Sequence, residues 1–511
     1  MVQRISELEY LKKTGWQKLV YNLGYFFKTI PQNLKYFFTV TLKAFFIKIG
    51  LSIKGVFVNI GNAAMYGDWK TRTSFGIMGF SQLSRKQFLR GLMFLAYEIL
   101  FIAYMVFFGA GQLAQFGTLG TRVRGEYTLP GSDIPLYSDD GDNSFLILLY
   151  SILTIIFIIA FIYAYYQNIK SAYATQLKEE AKQHLETAKE DFASLADGQY
   201  HKTLLVIPLL GLTIFTIFPI VFSIFVAFTN YDRQHYAPAN LFTWVGWKNF
   251  KALFSGAMVG GKYVEFGRVF GQVLLWTVIW AFFATFTNYI LGMIVALLIN
   301  KKGIRLKKLW RTVLVMTIAV PQFISLLLMS QMLGDYGIIN ELLQKWGITH
   351  EIIPFLTNKT IAKFTVIAVN IWVGIPYTML MVSGILMNIP EDLYESARID
   401  GAGPIKAYFK ITLPYVIHVT TPYLITSFIG NLNNFGVIYL LTGGGPTMSA
   451  EGSGGAGDTD LLITWLYKLI QTDQAYGVAS VISIIMFILT AIVSLAVYNR
   501  SNAVKNEEDF M

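Results

Sequence analysis

Long apolar runs dominate the chain between residues 91 and 498, separated by short polar or basic segments. Eight of these runs hold roughly 20 or more mostly apolar residues, the length that crosses a hydrocarbon layer ~30 Å thick. They lie near 91–113, 144–166, 203–228, 272–299, 308–333, 363–388, 413–442 and 476–498. The pattern predicts an all-α integral membrane protein with about eight transmembrane helices.

Residues 1–90 differ. They carry fourteen Lys or Arg residues interleaved with aromatics, as in Tyr25-Phe26-Phe27-Lys28 and Tyr36-Phe37-Phe38, and no uninterrupted apolar run long enough to span. Basic, aromatic and amphipathic together, they read as helices lying on the cytoplasmic membrane surface or as a helical cap on the spans. The stretch also lacks an apolar signal-peptide core with a small-residue cleavage site.

Composition agrees with the pattern. Of 511 residues, 54% are hydrophobic and only 14% charged, against about a quarter charged in soluble chains. The net charge of +10 arises from basic residues flanking apolar spans, which argues against nucleic acid as a partner. With no cysteine there is no disulfide framework and no thiolate chemistry. Orientation follows from the basic loop at 300–311, with Lys301, Lys302, Arg305, Lys307, Lys308 and Arg311, which should be cytoplasmic. Alternation then places both termini, the 167–202 loop and a polar segment at 389–412 inside. The acidic 114–143 loop, with Asp133, Asp139, Asp140 and Asp142, falls outside, as does the glycine-rich 443–475 loop, which its composition predicts to be mobile.

Two glycine patterns imitate nucleotide motifs. Gly256-x4-Gly261-Lys262 is followed by Tyr263 where a Ser or Thr would hold magnesium, and the run Gly452 to Gly457 has no strand before it. Five scattered histidines show no metal-ligand spacing, and no nucleophile–base pair stands out, so neither a metal nor a catalytic site is expected. Glu98 is the one carboxylate inside a span. Spans four to eight hold none in their interiors, which weighs against an ion-coupled carrier, the alternative reading for such a chain.

The polar segment between spans six and seven, PEDLYESARIDGAGPIKAYFKITLP from Pro390 to Pro414, is patterned as a docking knob. Pro390, Glu391 and Asp392 signal a helix start; Gly401, Gly403 and Pro404 end it; a short basic helix follows. On pattern alone it is equally an amphipathic loop. Spans six and seven each carry polar residues on one face: Asn370, Gly374 and Tyr377 at i, i+4, i+7, and Ser427, Asn431 and Asn434 at the same spacing. A buried amide must be paired. These stripes therefore serve either sugar hydroxyls and an aromatic stacking face, or helix–helix contacts.

Glu395-Ser396-Ala397, Asp400-Gly401-Ala402, then Ile411, Leu413 and Pro414 resemble the EAA loop of membrane subunits of ATP-binding-cassette importers, with Ser396 where the family form has Ala. The wider sequence from about Thr203 onward resembles the larger membrane subunit of maltose/maltodextrin importers. The resemblance implies a type I importer permease core at 271–500 with its coupling loop at 389–414, accessory spans at 91–270 and a cytoplasmic tail at 501–511. It implies sugar-facing positions at Asn370, Val373, Gly374, Tyr377, Ser427, Asn431 and Asn434, with departures at Gly430 and at Ile318 and Gln322. It further implies a second related permease, two cytoplasmic ATPase subunits that bind the ATP, and an extracellular sugar-binding protein, all in a bacterial plasma membrane. This chain would hold no cofactor of its own.

Overall fold

The computed structural model describes residues 17, 21, 39–40, 42–123, 125–128, 135–137, 141–259, 262–301, 303–448 and 452–498. Most of the aromatic clusters before residue 42, three of the four acidic residues named in the 114–143 loop, and the 501–511 tail lie outside the described residues. The protein is mostly helical, with two short antiparallel hairpins, β1–β2 (Glu126–Thr128, Pro135–Tyr137) and β3–β4 (Ala257–Val259, Lys262–Val264). It divides into two compact units, one of residues up to Phe222 with Tyr236–Thr243, the other of Ser223–His235 and the chain from Trp244 onward.

The first unit begins with α1 (Leu42–Tyr66), α2 (Trp69–Thr73) and α3 (Phe80–Ser84), followed by the spanning helix α4 (Phe88–Gln115). The long α5 (Ser144–Glu180) starts where the Asn143 side chain accepts from the N–H groups of Phe145 and Leu146. Its 37 residues exceed any bilayer, so its polar end continues out of the membrane, as the mixed charges of 167–180 suggest. A capping box of Thr187 and Glu190 opens α6 (Ala188–Ala196). These contacts hold the Glu190 carboxyl at about 2, mainly through the Thr187 backbone N–H and then His184.

The turns between α1 and α4 are fastened to α5 by buried polar groups. Arg85, its side chain fully enclosed, bridges Asp68 and Glu179, each at 2.6 Å. Asn168 accepts from Gly79 N–H at 2.9 Å and donates to Ser74 O at 3.0 Å. The intramembrane Glu98 accepts from Met78 N–H at 2.8 Å, a structural pairing that closes the same corner. Helices α4 and α5 pack through stacked Phe101 and Phe161, 3.9 Å between ring centroids.

A further spanning helix, α7 (Thr203–Val226), leads to α8 (Lys248–Ser255) in the second unit. That unit is built round α9 (Phe266–Asn300). Next come α10 (Lys307–Ala319), α11 (Gln322–Met332), α12 (Ile338–Lys345), α13 (Lys359–Met387) and α14 (Glu391–Ile399). The unit closes with α15 (Pro404–Leu432), α16 (Phe435–Thr442), α17 (Leu462–Gln471) and α18 (Tyr476–Tyr498).

Among the described residues, five single helices are long and apolar enough to span, or up to seven if each of two bent pairs is one span. At the eighth expected position α18 runs over Tyr476–Tyr498 and is apolar over Tyr476–Ile492. The two bent spans differ from the straight runs read from hydropathy. Pro321 cannot donate and holds Val320 in the extended region (φ −81°, ψ 129°), so α10 and α11 meet at 90°. Helices α15 and α16 meet at 43° across Asn433–Asn434.

The glycine-rich run after α16 also departs from expectation. Instead of a loose loop, residues 443–448 and 452–461 form turns around Asp460, which is fully buried. Its carboxylate accepts from Gly457 N–H at 2.7 Å and Thr464 Oγ1 at 2.9 Å, and pairs with Lys468 at 2.7 Å. Burial pushes the Asp460 carboxyl up, against the pull of Lys468. Gly444, at φ +80°, leaves room for that carboxylate: a Cβ there would lie 1.7 Å from Asp460 Oδ1. The glycines here provide backbone shape rather than slack.

Candidate functional site

Helix α9 packs against α13 and α15 along most of its length. The α9–α13 crossing is a reciprocal fit of small and larger residues one turn apart. A Cβ on Gly374 would stand 2.1 Å from Asn288 Nδ2, and one on Gly292 would stand 2.5 Å from Thr378 Cβ. Close approach through glycine is the usual way spans pack where lipid removes the hydrophobic drive. Gly374, on the polar face of span six, thus receives the Asn288 side chain. Val373 packs beside it against the apolar cluster that contains Trp276, Trp280 and Leu326.

The polar stripe of α15 folds back on itself at the helix break. Asn431 Nδ2 donates to Thr285 Oγ1 of α9 at 3.0 Å, and Asn434 Nδ2 donates to Asn431 Oδ1 at 3.2 Å. Asn434 Oδ1 accepts from Val437 N–H at 3.3 Å and so caps α16. The break thus has a local cause: Asn434 starts a new helix, and the Asn433 N–H bonds back to Gly430 O. Ser427, one turn earlier, is half-buried.

Asn370 behaves differently. It is 5% exposed, and its Nδ2 is enclosed without a hydrogen-bond partner. Asn288 Oδ1 is likewise enclosed and unpaired. Tyr377 lies largely exposed, its ring 5.8 Å from that of Tyr423. The structure therefore links Asn431 with Asn434, gives no hydrogen bond from either to Asn370, and adds Thr285 and Asn288 from span four. Their spacing, with Gly292, is i, i+3, i+7, a small-and-polar face of α9 that could have been read from the run TFTNYILG. Span breaks beside unpaired polar groups are where membrane carriers place polar ligands.

The second cluster lies where α13 ends. Pro390 precedes α14, Glu391 and Asp392 fill its first turn, and Gly401 ends it at φ +73°. Around that glycine, Ala402 N–H bonds Ala397 O at 2.8 Å and Gly401 N–H bonds Arg398 O at 3.0 Å, a left-handed C-cap. Glu395, Ser396 and Asp400 are exposed, as are Leu393 and Ile399, whose apolar side chains meet no cover within the chain. Ile411 and Leu413 turn inward instead, Leu413 against the cluster of Tyr289, Met293 and Val416. Pro414 is exposed on the turn of α15 that follows its π-helical segment Tyr408–Thr412. Tyr394 ties the knob to that turn through a 2.8 Å hydrogen bond with Thr412. The knob shares a membrane face with the basic 300–311 loop, because Asn300 Nδ2 donates to Ser383 Oγ at 3.0 Å.

A bundle with broken spans, a mid-span polar belt and an exposed helical knob defines a membrane transport component. Residues 288–504 match the family model of binding-protein-dependent transport system inner membrane components. The chain belongs to that family, as its full-length relatives also show. It is 33% identical over 435 residues to the galactooligosaccharides transport system permease protein GanP of Bacillus subtilis (strain 168), covering 84% of this chain and 97% of that one. It is 35% identical over 443 residues to the maltodextrin transport system permease protein MdxF of the same strain, covering 84% and 95%. The maltodextrin transport system permease protein MalC of Streptococcus pneumoniae serotype 4 is 32% identical over the same length and shares.

Proposed function

We propose that this chain moves an oligosaccharide of the maltodextrin class inward across a bacterial plasma membrane, with both termini cytoplasmic. The sugar would meet Asn370, Val373, Gly374, Tyr377, Ser427, Asn431 and Asn434. A second permease completes the pathway, an extracellular sugar-binding protein delivers the sugar, and two cytoplasmic ATPase subunits bind ATP and drive the cycle. Two observations support the reading: span seven breaks at Asn433–Asn434, where Asn431 and Asn434 are paired, and span six carries an enclosed, unpaired amide at Asn370. Amides both donate and accept, as a row of sugar hydroxyls requires.

The knob supplies the drive. In this reading Glu395, Ser396, Ala397, Asp400, Gly401 and Ala402 meet the ATPase, while Ile411, Leu413 and Pro414 seat the loop on its own span. Tyr394 transmits displacement to Thr412, and the helix beyond acts as a rod of roughly 30 Å reaching Asn431. Movement of α14 is thereby linked to the helix break without any carboxylate changing protonation.

The test is Gly401→Asp. A Cβ at Gly401 meets open space within the chain, so lost function would report on a partner, with Gly401→Asn as the control for the left-handed backbone. The expected result is normal membrane insertion, poor co-purification of the ATPase and low sugar uptake. Normal co-purification and uptake refute the coupling assignment. Sugar movement by the chain alone in vesicles would refute the need for ATPase partners.

A further inference from the structure

Behind the knob a cavity of about 810 Å³ opens between the last turns of α9 and the underside of α14. Its wall along α9 is apolar: Ile290, Ile294 and Leu298 are each about half exposed. Two cations also line it, Lys301 at the end of α9 and Arg398 on α14. Among the described residues neither is in an ion pair, and no described carboxylate lines the cavity, although α14 carries Glu391, Asp392, Glu395 and Asp400.

We propose that this groove holds an anionic phospholipid, the phosphate between Lys301 and Arg398 and an acyl chain along Ile290, Ile294 and Leu298. Charge and polarity run in one direction. The apolar wall belongs to a spanning segment, and the cations lie at its basic end, the level at which phospholipid phosphates sit. Two uncompensated cations facing an apolar slot fit an amphiphile with an anionic head better than an apolar helix of another subunit, which would leave both charges unanswered. Because Lys301 and Arg398 stand on different elements, the headgroup would tether the knob to span four. The inference does not depend on which sugar is carried.

The experiment uses the full-length chain purified with its native lipids and, separately, in nanodiscs of phosphatidylcholine with or without phosphatidylglycerol. Native mass spectrometry should find phosphatidylglycerol retained on the wild type. Retention should fall about fivefold for each cation removed, in Lys301→Gln and Arg398→Gln. Lys301→Arg should retain the lipid, and Ile294→Trp, which fills the slot without changing charge, should expel it. Equal retention by wild type and Lys301→Gln/Arg398→Gln overturns the proposal, as does equal retention of phosphatidylcholine. A photo-crosslinker at position 294 that captures another protein chain in the assembled transporter, and no lipid, overturns it too.

Discussion

Two buried polar clusters show opposite solutions to one problem. In the first unit, Arg85 is matched by Asp68 and Glu179, and Asn168 by Gly79 and Ser74. In the second, Asn431 and Asn434 are paired at a helix break, while Asn370 Nδ2 and Asn288 Oδ1 remain enclosed and unpaired. Burying a polar group costs about 1–3 kcal/mol when it is left without a partner. A closed cluster therefore fastens helices together, whereas an open one keeps that cost until a ligand or water answers it. The contrast is one of degree, because Gln82 Oε1 in the first unit is also enclosed without a partner.

The largest effect should come from breaking the closed cluster. Arg85→Ala leaves Asp68 and Glu179 without their shared cation and should lower stability by about 3 kcal/mol, read as a drop in thermal midpoint in detergent. Sugar uptake per folded molecule should stay normal. A loss of uptake with stability intact would move Arg85 into the transport path.

Next in size, Gly374→Val forces α13 away from Asn288 and should cost about 2 kcal/mol. Asn288→Ala in the same chain should recover much of that loss, a coupling measured as a double-mutant cycle. Additive losses would show that the two side chains do not meet.

Asn370→Leu tests the open cluster. Removing an unpaired amide should leave the thermal midpoint unchanged or slightly higher, while uptake falls about tenfold, as one lost sugar hydrogen bond implies. A fall in stability with normal uptake would assign Asn370 to helix packing instead.

The smallest effect concerns the loop before α5. Asp142 accepts from the backbone N–H of Arg122 at 2.9 Å and of Thr121 at 2.8 Å, which holds its carboxyl below the ordinary value of 3.8. A depressed folded value means stabilisation that is present above pH 3.8 and lost as pH falls through the folded value. Thermal midpoints measured from pH 6 downward should therefore decline below about pH 4, less steeply in Asp142→Asn.

Much of this was legible beforehand because hydrocarbon imposes a simple length and polarity rule on each span. The apolar runs near 91–113, 144–166, 203–228, 272–299 and 363–388 each correspond to a long spanning helix, and the Pro390–Pro414 pattern became a helix, a left-handed cap and a second helix start. The hidden parts depended on partners distant in sequence. Thr285 and Asn288 were passed over because a single threonine or asparagine in an apolar helix has no meaning until Asn431 or Gly374 lies against it. Residues 69–90 read equally as membrane-surface helices or as a cap on the spans, and the structure buries Arg85, Gln82 and Ser81, with Arg85 and Gln82 bonded to α5. The glycines after Thr442 suggested slack because composition does not reveal a buried Asp460 that their backbones surround.

Local chemistry along the chain was enough to specify a multispanning transport component, the number of apolar runs and the knob between spans six and seven, since each depends on residues within one turn or one membrane thickness. Folding in three dimensions decided which polar groups were closed and which were left open, while the two bends follow from local residues, Pro321 and Asn434. The pairings that decide this join residues far apart in the chain, 89 positions for Gly79 and Asn168 and 146 for Thr285 and Asn431, where periodicity carries no information.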